Sequence, residues 1–127
     1  MLKFLSIGLG GFIGALLRYS VSEYISLNSN SMFPWGTLTV NIVGAFVIGF
    51  LWKAIEFVPV TPEIKSFIFV GLIGAFTTFS TFMFETVKLL QDSEYMYAFI
   101  YLFGSLVLGI IAVYLGIFSI KYIKFIH

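Results

Sequence analysis

Charged residues are scarce in this sequence, and they are unevenly spaced. The 127 residues include only seven Lys or Arg and six Asp or Glu, whereas roughly 25% of a soluble domain is charged. Three stretches have no charged residue at all, namely residues 24–52, 66–84 and 95–120. Each is about as long as the roughly 20 residues that cross a bilayer, or longer. This pattern excludes a soluble catalytic or nucleotide-binding domain.

The sequence also lacks cysteine, and its one histidine is the final residue, His127. Without cysteine there are no disulfides and no thiolate ligands for a metal. A histidine at a chain end is poorly placed for a proton relay or a metal centre. The net charge of +1 provides no basic surface for nucleic acid. We therefore expect neither an enzyme nor a nucleic-acid-binding protein.

A fourth apolar stretch begins near residue 4 and contains only Arg18 and, near its end, Glu23 as charged residues. Arg18 and Tyr19 stand where a signal peptide would have small residues, so we predict a retained first span. Short polar connections separate the stretches and make neighbouring helices antiparallel. We predict one all-α membrane domain with four transmembrane helices, at about residues 4–27, 35–57, 64–90 and 95–120.

Polar side chains inside the spans need partners, because hydrocarbon offers none. Arg18 keeps its charge and requires carbonyls, a carboxylate, an anion or a water-filled vestibule, unless it extends to the membrane interface. Asn41, in the second span, has a neutral amide with donor and acceptor groups. A neutral donor suits an anion path, since a fixed cation would trap the ion. Interhelical hydrogen bonding is the alternative for Asn41.

The third span has glycine and hydroxyl residues at its centre. These residues are Gly71, Gly74, Thr77, Thr78, Ser80 and Thr81. Glycine favours unwinding, and Ser and Thr side chains satisfy the backbone groups that unwinding frees. Carbonyl oxygens exposed by a break are hard ligands suited to an alkali cation. We predict a third helix broken at mid-membrane, with a kinked but continuous helix as the alternative.

Aromatic and hydroxyl residues repeat at helical spacing in the last two spans. Phe79 and Phe82 share a helical face, and the positive edges of their rings can contact an anion. The sequence has sixteen Phe, so packing or lipid contact is the alternative. Tyr101 and Ser105 are related as i and i+4, which places their hydroxyls on one face as a donor track or as interhelical hydrogen bonds.

Small residues on two spans predict close helix packing. Gly10 and Gly14 form a GxxxG pattern on the first span. On the fourth span a ridge of small residues consists of Ser105, Gly109, Ala112 and Gly116.

Together these motifs resemble the Fluc (CrcB) family of fluoride channels, and the resemblance covers nearly the whole chain. Three segments carry it: GGFIGALLRY at residues 10–19, GTLTVNIVG at residues 36–44 and GLIGAFTTFSTF at residues 71–82. The Thr-Thr-Phe-Ser-Thr-Phe run in a third span, combined with the other two segments, is the most specific signal.

The resemblance implies a passive fluoride channel of a bacterial cytoplasmic membrane, which lowers cytoplasmic fluoride and so relieves its toxicity. It also implies an antiparallel, dual-topology dimer with two pores and a central structural Na⁺ that is not transported. The backbone carbonyls of Gly74 and Thr77 would bind this Na⁺, and Arg18 would lie towards a vestibule. The fluoride pore would include Asn41, Phe79, Phe82, Ser80, Thr81, Tyr101 and Ser105.

Two other classes of protein also have spans of this kind. Small proton-coupled multidrug exporters have four spans, but they need a carboxylate buried in the first span. Residues 4–17 contain no acid, and Glu23 lies near the end of that span. A non-transporting subunit of a membrane assembly is the second alternative. Glu85, at the far end of the third span, is expected at a pore mouth or an interface rather than in a proton relay.

Basic residues are concentrated on one side of the predicted bundle. Lys88 and, less clearly, Arg18 lie on the opposite side. By the positive-inside rule, the termini are expected in the cytoplasm. A dual-topology protein should be nearly balanced, so the inverted partner is either a second copy or an oppositely biased homologue. The basic residues on the side that carries the termini are Lys3, Lys53, Lys65, Lys121 and Lys124.

Overall fold

The computed structural model describes the backbone of residues 1–126, and their side chains except at residue 121 and residues 123–126. No strand occurs in this part of the chain. The helices are α1 (Leu2–Asn28), α2 (Trp35–Ala54), α3 (Pro62–Lys65), a π-helical stretch (Ser66–Ile73), α4 (Gly74–Phe76), α5 (Phe79–Gln91) and α6 (Tyr95–Ile126).

Within the described residues, four helical segments are long and apolar enough to cross a membrane. They are α1, α2, the composite third segment Pro62–Gln91, and α6, whose apolar part is Tyr95–Ile120. The prediction of an all-α, multi-pass membrane protein with four spans is confirmed.

Two helix ends differ from the predicted bounds by more than two residues. α2 ends at Ala54, three residues early, and the chain turns through residues 55–58 before Pro59. The residue before a proline disfavours helical backbone, which limits how far α2 extends. By contrast, α6 continues past its predicted end to Ile126, because residues 121–126 contain neither Gly nor Pro.

Most of the large apolar side chains lie on the outside of the bundle. Leu9, Val70 and Phe99 are each about 60% exposed, as expected where lipid rather than protein surrounds the helices. The main buried cluster lies where α5 packs against α6 and the connection after α1. Its members are Phe33, Phe82, Leu89, Ala98 and Tyr101.

α1 packs directly against the π-helical stretch through glycine. A Cβ on Gly71 would lie 2.6 Å from the Ile7 carbonyl oxygen and 2.9 Å from the Gly10 Cα atom. A Cβ on Gly10 would lie 2.9 Å from the Leu72 nitrogen. Side chains cannot approach so closely, so only glycine permits this crossing. The crossing confirms the predicted close packing on the first span. It holds the third segment against α1 at a point just before the centre of that segment.

The small-residue ridge on α6 is confirmed only in part. A Cβ on Gly116 would lie 2.7 Å from the Phe50 nitrogen on α2, and Ala112 is buried. Gly109 has no neighbouring atom within 4 Å of its Cβ position. The contact between α2 and α6 is therefore made by the later part of the ridge.

The third segment changes conformation halfway along its length. After the π-helical stretch and α4, Thr77 and Thr78 are extended, with φ, ψ of −90°, 158° and −149°, 122°. The Thr78 side chain then accepts a hydrogen bond from the Thr81 N–H and caps α5. The third helix is broken, as predicted, and the kinked but continuous alternative is wrong.

Candidate functional site

Asn41 on α2 binds the backbone of the helix break in both directions. Its Oδ1 accepts the Thr78 N–H at 2.8 Å, and its Nδ2 donates to the Thr78 carbonyl at 3.0 Å. Thr78 therefore has a partner for both backbone groups without continuing the helix. One Nδ2 proton of Asn41 is used in this pair, and an amide has two.

The break releases the two carbonyls predicted to bind Na⁺. In a continuous helix, Gly74 would accept from the Thr78 N–H and Thr77 from the Thr81 N–H. Here the Thr78 N–H donates to Asn41, and the Thr81 N–H donates to Thr78 Oγ1 at 3.3 Å. Oxygens released in this way need a new partner, and carbonyls of a broken helix are suitable ligands for Na⁺. This donor chemistry fits the predicted ion.

Arg18 contacts the same break from α1. Its Nε donates to the Ala75 carbonyl at 3.0 Å, an oxygen that would accept the Phe79 N–H in a continuous helix. The guanidinium has four further N–H groups, and the residue is only partly buried. Arg18 thus supports the break through one bond and retains donors for a second partner.

A cleft of about 340 Å³ lies beside the break; we name it the break cleft. It brings together residues of α2, α5 and the break itself, with Ile73 from the π-helical stretch and Val113 from α6. Among the residues that the structure describes, none that lines this cleft is charged. The predicted site residues in its lining are Asn41, Thr77, Phe79 and Phe82.

Phe79 and Phe82 touch each other but differ in burial. Their ring centroids are 6.2 Å apart in an edge-on arrangement. Phe79 is 72% exposed, whereas Phe82 is 5% exposed and packs edge-on against Tyr101 at 4.9 Å. One ring therefore lies on the outer surface of the single chain, and the other lies in its core.

Glu85 lies at the centre of a hydrogen-bond network between three helices. Its Oε1 accepts from Thr37 Oγ1 at 2.9 Å, and its Oε2 accepts from the Tyr101 hydroxyl at 2.7 Å. Both donors are buried, and each uses its hydroxyl proton in this network. The Tyr101 hydroxyl, predicted to belong to a donor track, is thus directed towards a carboxylate.

The remaining predicted hydroxyls differ in their surroundings. Thr81 Oγ1 accepts from Thr78 Oγ1 at 3.1 Å, and the exposed Ser80 lies 3.5 Å from the same Thr78 oxygen. The Ser105 hydroxyl is buried and has no hydrogen-bond partner among the residues that the structure describes. A buried polar atom of this kind needs a ligand, a water or a second chain.

Comparison with known proteins places this site in a family. Residues 5–117 match the family model described as "CrcB-like protein, Camphor Resistance (CrcB)". The chain belongs to the CrcB family. This confirms the resemblance found in the three sequence segments.

Several curated CrcB relatives are similar to the chain over nearly their whole length. A protein of Chlorobium chlorochromatii named "Fluoride-specific ion channel FluC" is 44% identical, covering 93% of this chain and 92% of the relative. A protein of the same name from Shewanella woodyi is 45% identical, covering 91% and 94%. "Fluoride-specific ion channel FluC 2" of Clostridium acetobutylicum is 38% identical, covering 88% and 92%.

The structure gathers most of the predicted CrcB residues around the helix break, while Tyr101 and Ser105 lie on α6. Sequence reasoning missed two participants, Thr37 entirely and Glu85 as the centre of a network. Thr37 lies four positions before Asn41, and Glu85 four positions after Thr81. Since i and i+4 share a helical face, this spacing is the signal that could have identified them.

Proposed function

We propose that the chain forms a fluoride-selective, passive channel in a bacterial cytoplasmic membrane and so lowers the fluoride concentration in the cell. The observation that carries the proposal is the uncharged break cleft, where Asn41 lies together with Phe79 and Phe82. The names of the CrcB relatives supply the identity of the ion. Lower cytoplasmic fluoride would relieve its toxicity.

The cleft suits a small anion that holds its water strongly. A pore must replace that water without binding the ion so tightly that it cannot leave. The second Nδ2 proton of Asn41 is a neutral donor for this purpose, and the phenyl edges of Phe79 and Phe82 add a weak positive potential. Because no charged side chain in the described part of the chain lines the cleft, no fixed charge traps the ion there.

Hydroxyl groups would extend the path beyond the cleft. Ser105 supports this most directly, since its buried hydroxyl has no partner among the described residues. Ser80 and Thr81 lie at the start of α5, beside the break. Tyr101 can donate to an ion only when its hydroxyl no longer donates to Glu85. Arg18 would lie at a vestibule, where its remaining N–H groups attract the anion.

We propose an antiparallel dimer with two pores as the functional unit. The exposed ring of Phe79 leaves one side of the break cleft open in the single chain, and a second chain would close it. The released carbonyls of Gly74 and Thr77 in both chains would together hold one structural Na⁺, which supplies positive charge between two sets of carbonyl dipoles. The second chain is either another copy or an oppositely oriented homologue.

Ion release from proteoliposomes tests the proposed function. Vesicles loaded with fluoride or with chloride are diluted, and release is followed with ion-selective electrodes. We expect fast fluoride release, chloride retention and no requirement for a proton gradient. Equal release of both anions would refute fluoride selectivity. A strict requirement for a proton gradient would refute passive conduction and favour a proton-coupled exporter.

A further inference from the structure

The two ends of the bundle carry opposite charge. α1 and the third segment begin at one end, where α2 and α6 finish; we name this the basic end. Its charged residues are Lys3, Lys53, Lys65, Lys121, Lys124, Glu56 and Glu63. The charged residues of the opposite end are Lys88, Glu23, Asp92 and Glu94. An excess of lysine at the basic end favours contact with anionic lipid headgroups.

A second cleft, of about 470 Å³, opens at the basic end between the end of α2 and the start of the third segment. We name it the basic-end cleft. Its lining combines polar residues, which reach towards water, with aromatic and aliphatic residues on the membrane side. These residues include Trp52, Glu56, Lys65, Ser66, Phe69 and Val70.

One positive charge in this cleft is unopposed. Lys53 forms an ion pair with Glu56, so the one acid that the described residues contribute to the lining already has a partner. The Lys65 side chain is exposed, and its ammonium has neither a hydrogen bond nor an ion pair within the described residues. Glu63 lies two positions earlier, about 200° around the helix, and so points away from Lys65. The cleft is therefore complementary to a single negative charge.

The apolar part of the cleft suits an acyl chain. The Trp52 indole is 59% exposed and meets the Phe69 ring edge-on at 5.5 Å. Val70, one turn below Ser66, is also 59% exposed. Tryptophan is favoured at the level of lipid headgroups, which places Lys65 beside the phosphate layer and Val70 beside hydrocarbon.

We propose that the basic-end cleft binds an anionic glycerophospholipid. The phosphodiester lies against the Lys65 ammonium and the Ser66 hydroxyl, and one acyl chain packs along Trp52, Phe69 and Val70. The site is distinct from the break cleft and does not depend on the transported ion.

Fluorescence quenching by brominated lipids tests this site in the full-length protein. The chain has two Trp residues, so a Trp35→Phe background leaves Trp52 as the reporter. We expect brominated phosphatidylglycerol to occupy the site about fivefold better than brominated phosphatidylcholine at equal mole fraction. This ratio is the gain in affinity that attraction between one lysine and an anionic headgroup provides near the membrane surface. The reciprocal Trp52→Phe protein, reporting through Trp35, should show no preference.

Three lysine variants separate a built site from general attraction to a charged surface. Lys65→Gln should abolish the preference, and Lys65→Arg should retain it. Lys3→Gln removes a charge from the same end outside the cleft and should leave the preference intact. Fluoride release by Lys65→Gln proteoliposomes should match that of the parent.

Several outcomes would overturn the proposal. Equal loss in the Lys3→Gln and Lys65→Gln proteins would show that only overall charge matters. Absence of Trp52 quenching by either lipid would show that another protein chain covers the cleft. Loss of the preference on adding millimolar inorganic phosphate would show a site for a free anion rather than for a lipid.

Discussion

At the residue scale, Asn41 joins the proposed pore to the helix break, and its substitution by aspartate alters both roles. Asn41→Asp removes the donor to the Thr78 carbonyl and introduces a negative charge in the proposed anion path. At about 6 Å and an effective dielectric of about 20, like charges repel by about 3 kcal/mol. We therefore expect roughly a hundredfold slower fluoride release from assembled protein.

The control for this substitution makes the same chemical change at the membrane edge. Asn28 is exposed at the end of α1 and donates to the Tyr24 carbonyl, so Asn28→Asp should release fluoride at the parental rate. Gel filtration must show that both variants assemble. If assembled Asn41→Asp conducts like the parent, Asn41 is a packing residue.

Substitution of Phe79 or Phe82 by isoleucine should cause the same loss of function, but the two substitutions should differ in how much they destabilise the protein. Phe79→Ile alters an exposed ring and should change stability by less than about 0.5 kcal/mol. Phe82→Ile removes a buried edge-on contact with Tyr101 and should cost about 1–3 kcal/mol. Both remove a positive ring edge and should slow fluoride release about tenfold or more, measured at equal amounts of folded protein.

Phe84 provides the matched control on the same helix. It is 70% exposed and lies outside the lining of the break cleft. Phe84→Ile should therefore conduct normally. Normal fluoride release by both Phe79→Ile and Phe82→Ile would assign those rings to packing alone.

At the scale of the helix, the position of the break depends on a neighbour rather than on glycine. Gly74 itself is helical, with φ −60° and ψ −37°, and the chain becomes extended only at Thr77. The reason is that Asn41 takes the Thr78 N–H, and the Thr78 side chain takes the Thr81 N–H. Composition indicated a break within this run, but the side chain that fixes its position comes from another helix.

The released carbonyls predict a cation between paired chains. A crystal structure of the dimer should show one Na⁺ held by four oxygens, from Gly74 and Thr77 of each chain, and Tl⁺ in its place should give an anomalous signal. In detergent, replacing Na⁺ by N-methylglucamine should lower the thermal midpoint of the dimer, since a bound ion stabilises the state that binds it. Absence of density between the breaks, with equal midpoints, would contradict this assignment.

At the scale of the whole molecule, the lysine distribution predicts a biased orientation. Five lysines lie near the basic end and one near the other, and short segments rich in Lys or Arg tend to stay in the cytoplasm. We expect most chains to insert with their termini inside, although the functional dimer needs an inverted partner. Reporters fused to the C-terminus should show this bias, and Lys3→Gln with Lys124→Gln should reduce it.

Co-expression tests the second half of this prediction. An oppositely biased homologue should raise the yield of functional dimers above that of the chain alone. Equal insertion in both orientations, with full fluoride release from this chain by itself, would show that the charge bias has no effect on assembly.

The sequence by itself determined the four spans and the family, and it indicated a break in the third span, because these depend on local composition and on short motifs. Tertiary structure decided which groups meet. Glu85 accepts from Thr37 and Tyr101 on two other helices, and α1 reaches the break through Arg18. Helical periodicity fixes the face on which a side chain lies, but the rotation and depth of one helix against another depend on backbone approach at residues such as Gly10 and Gly71. Those contacts join positions far apart in sequence, so only the packed bundle specifies them.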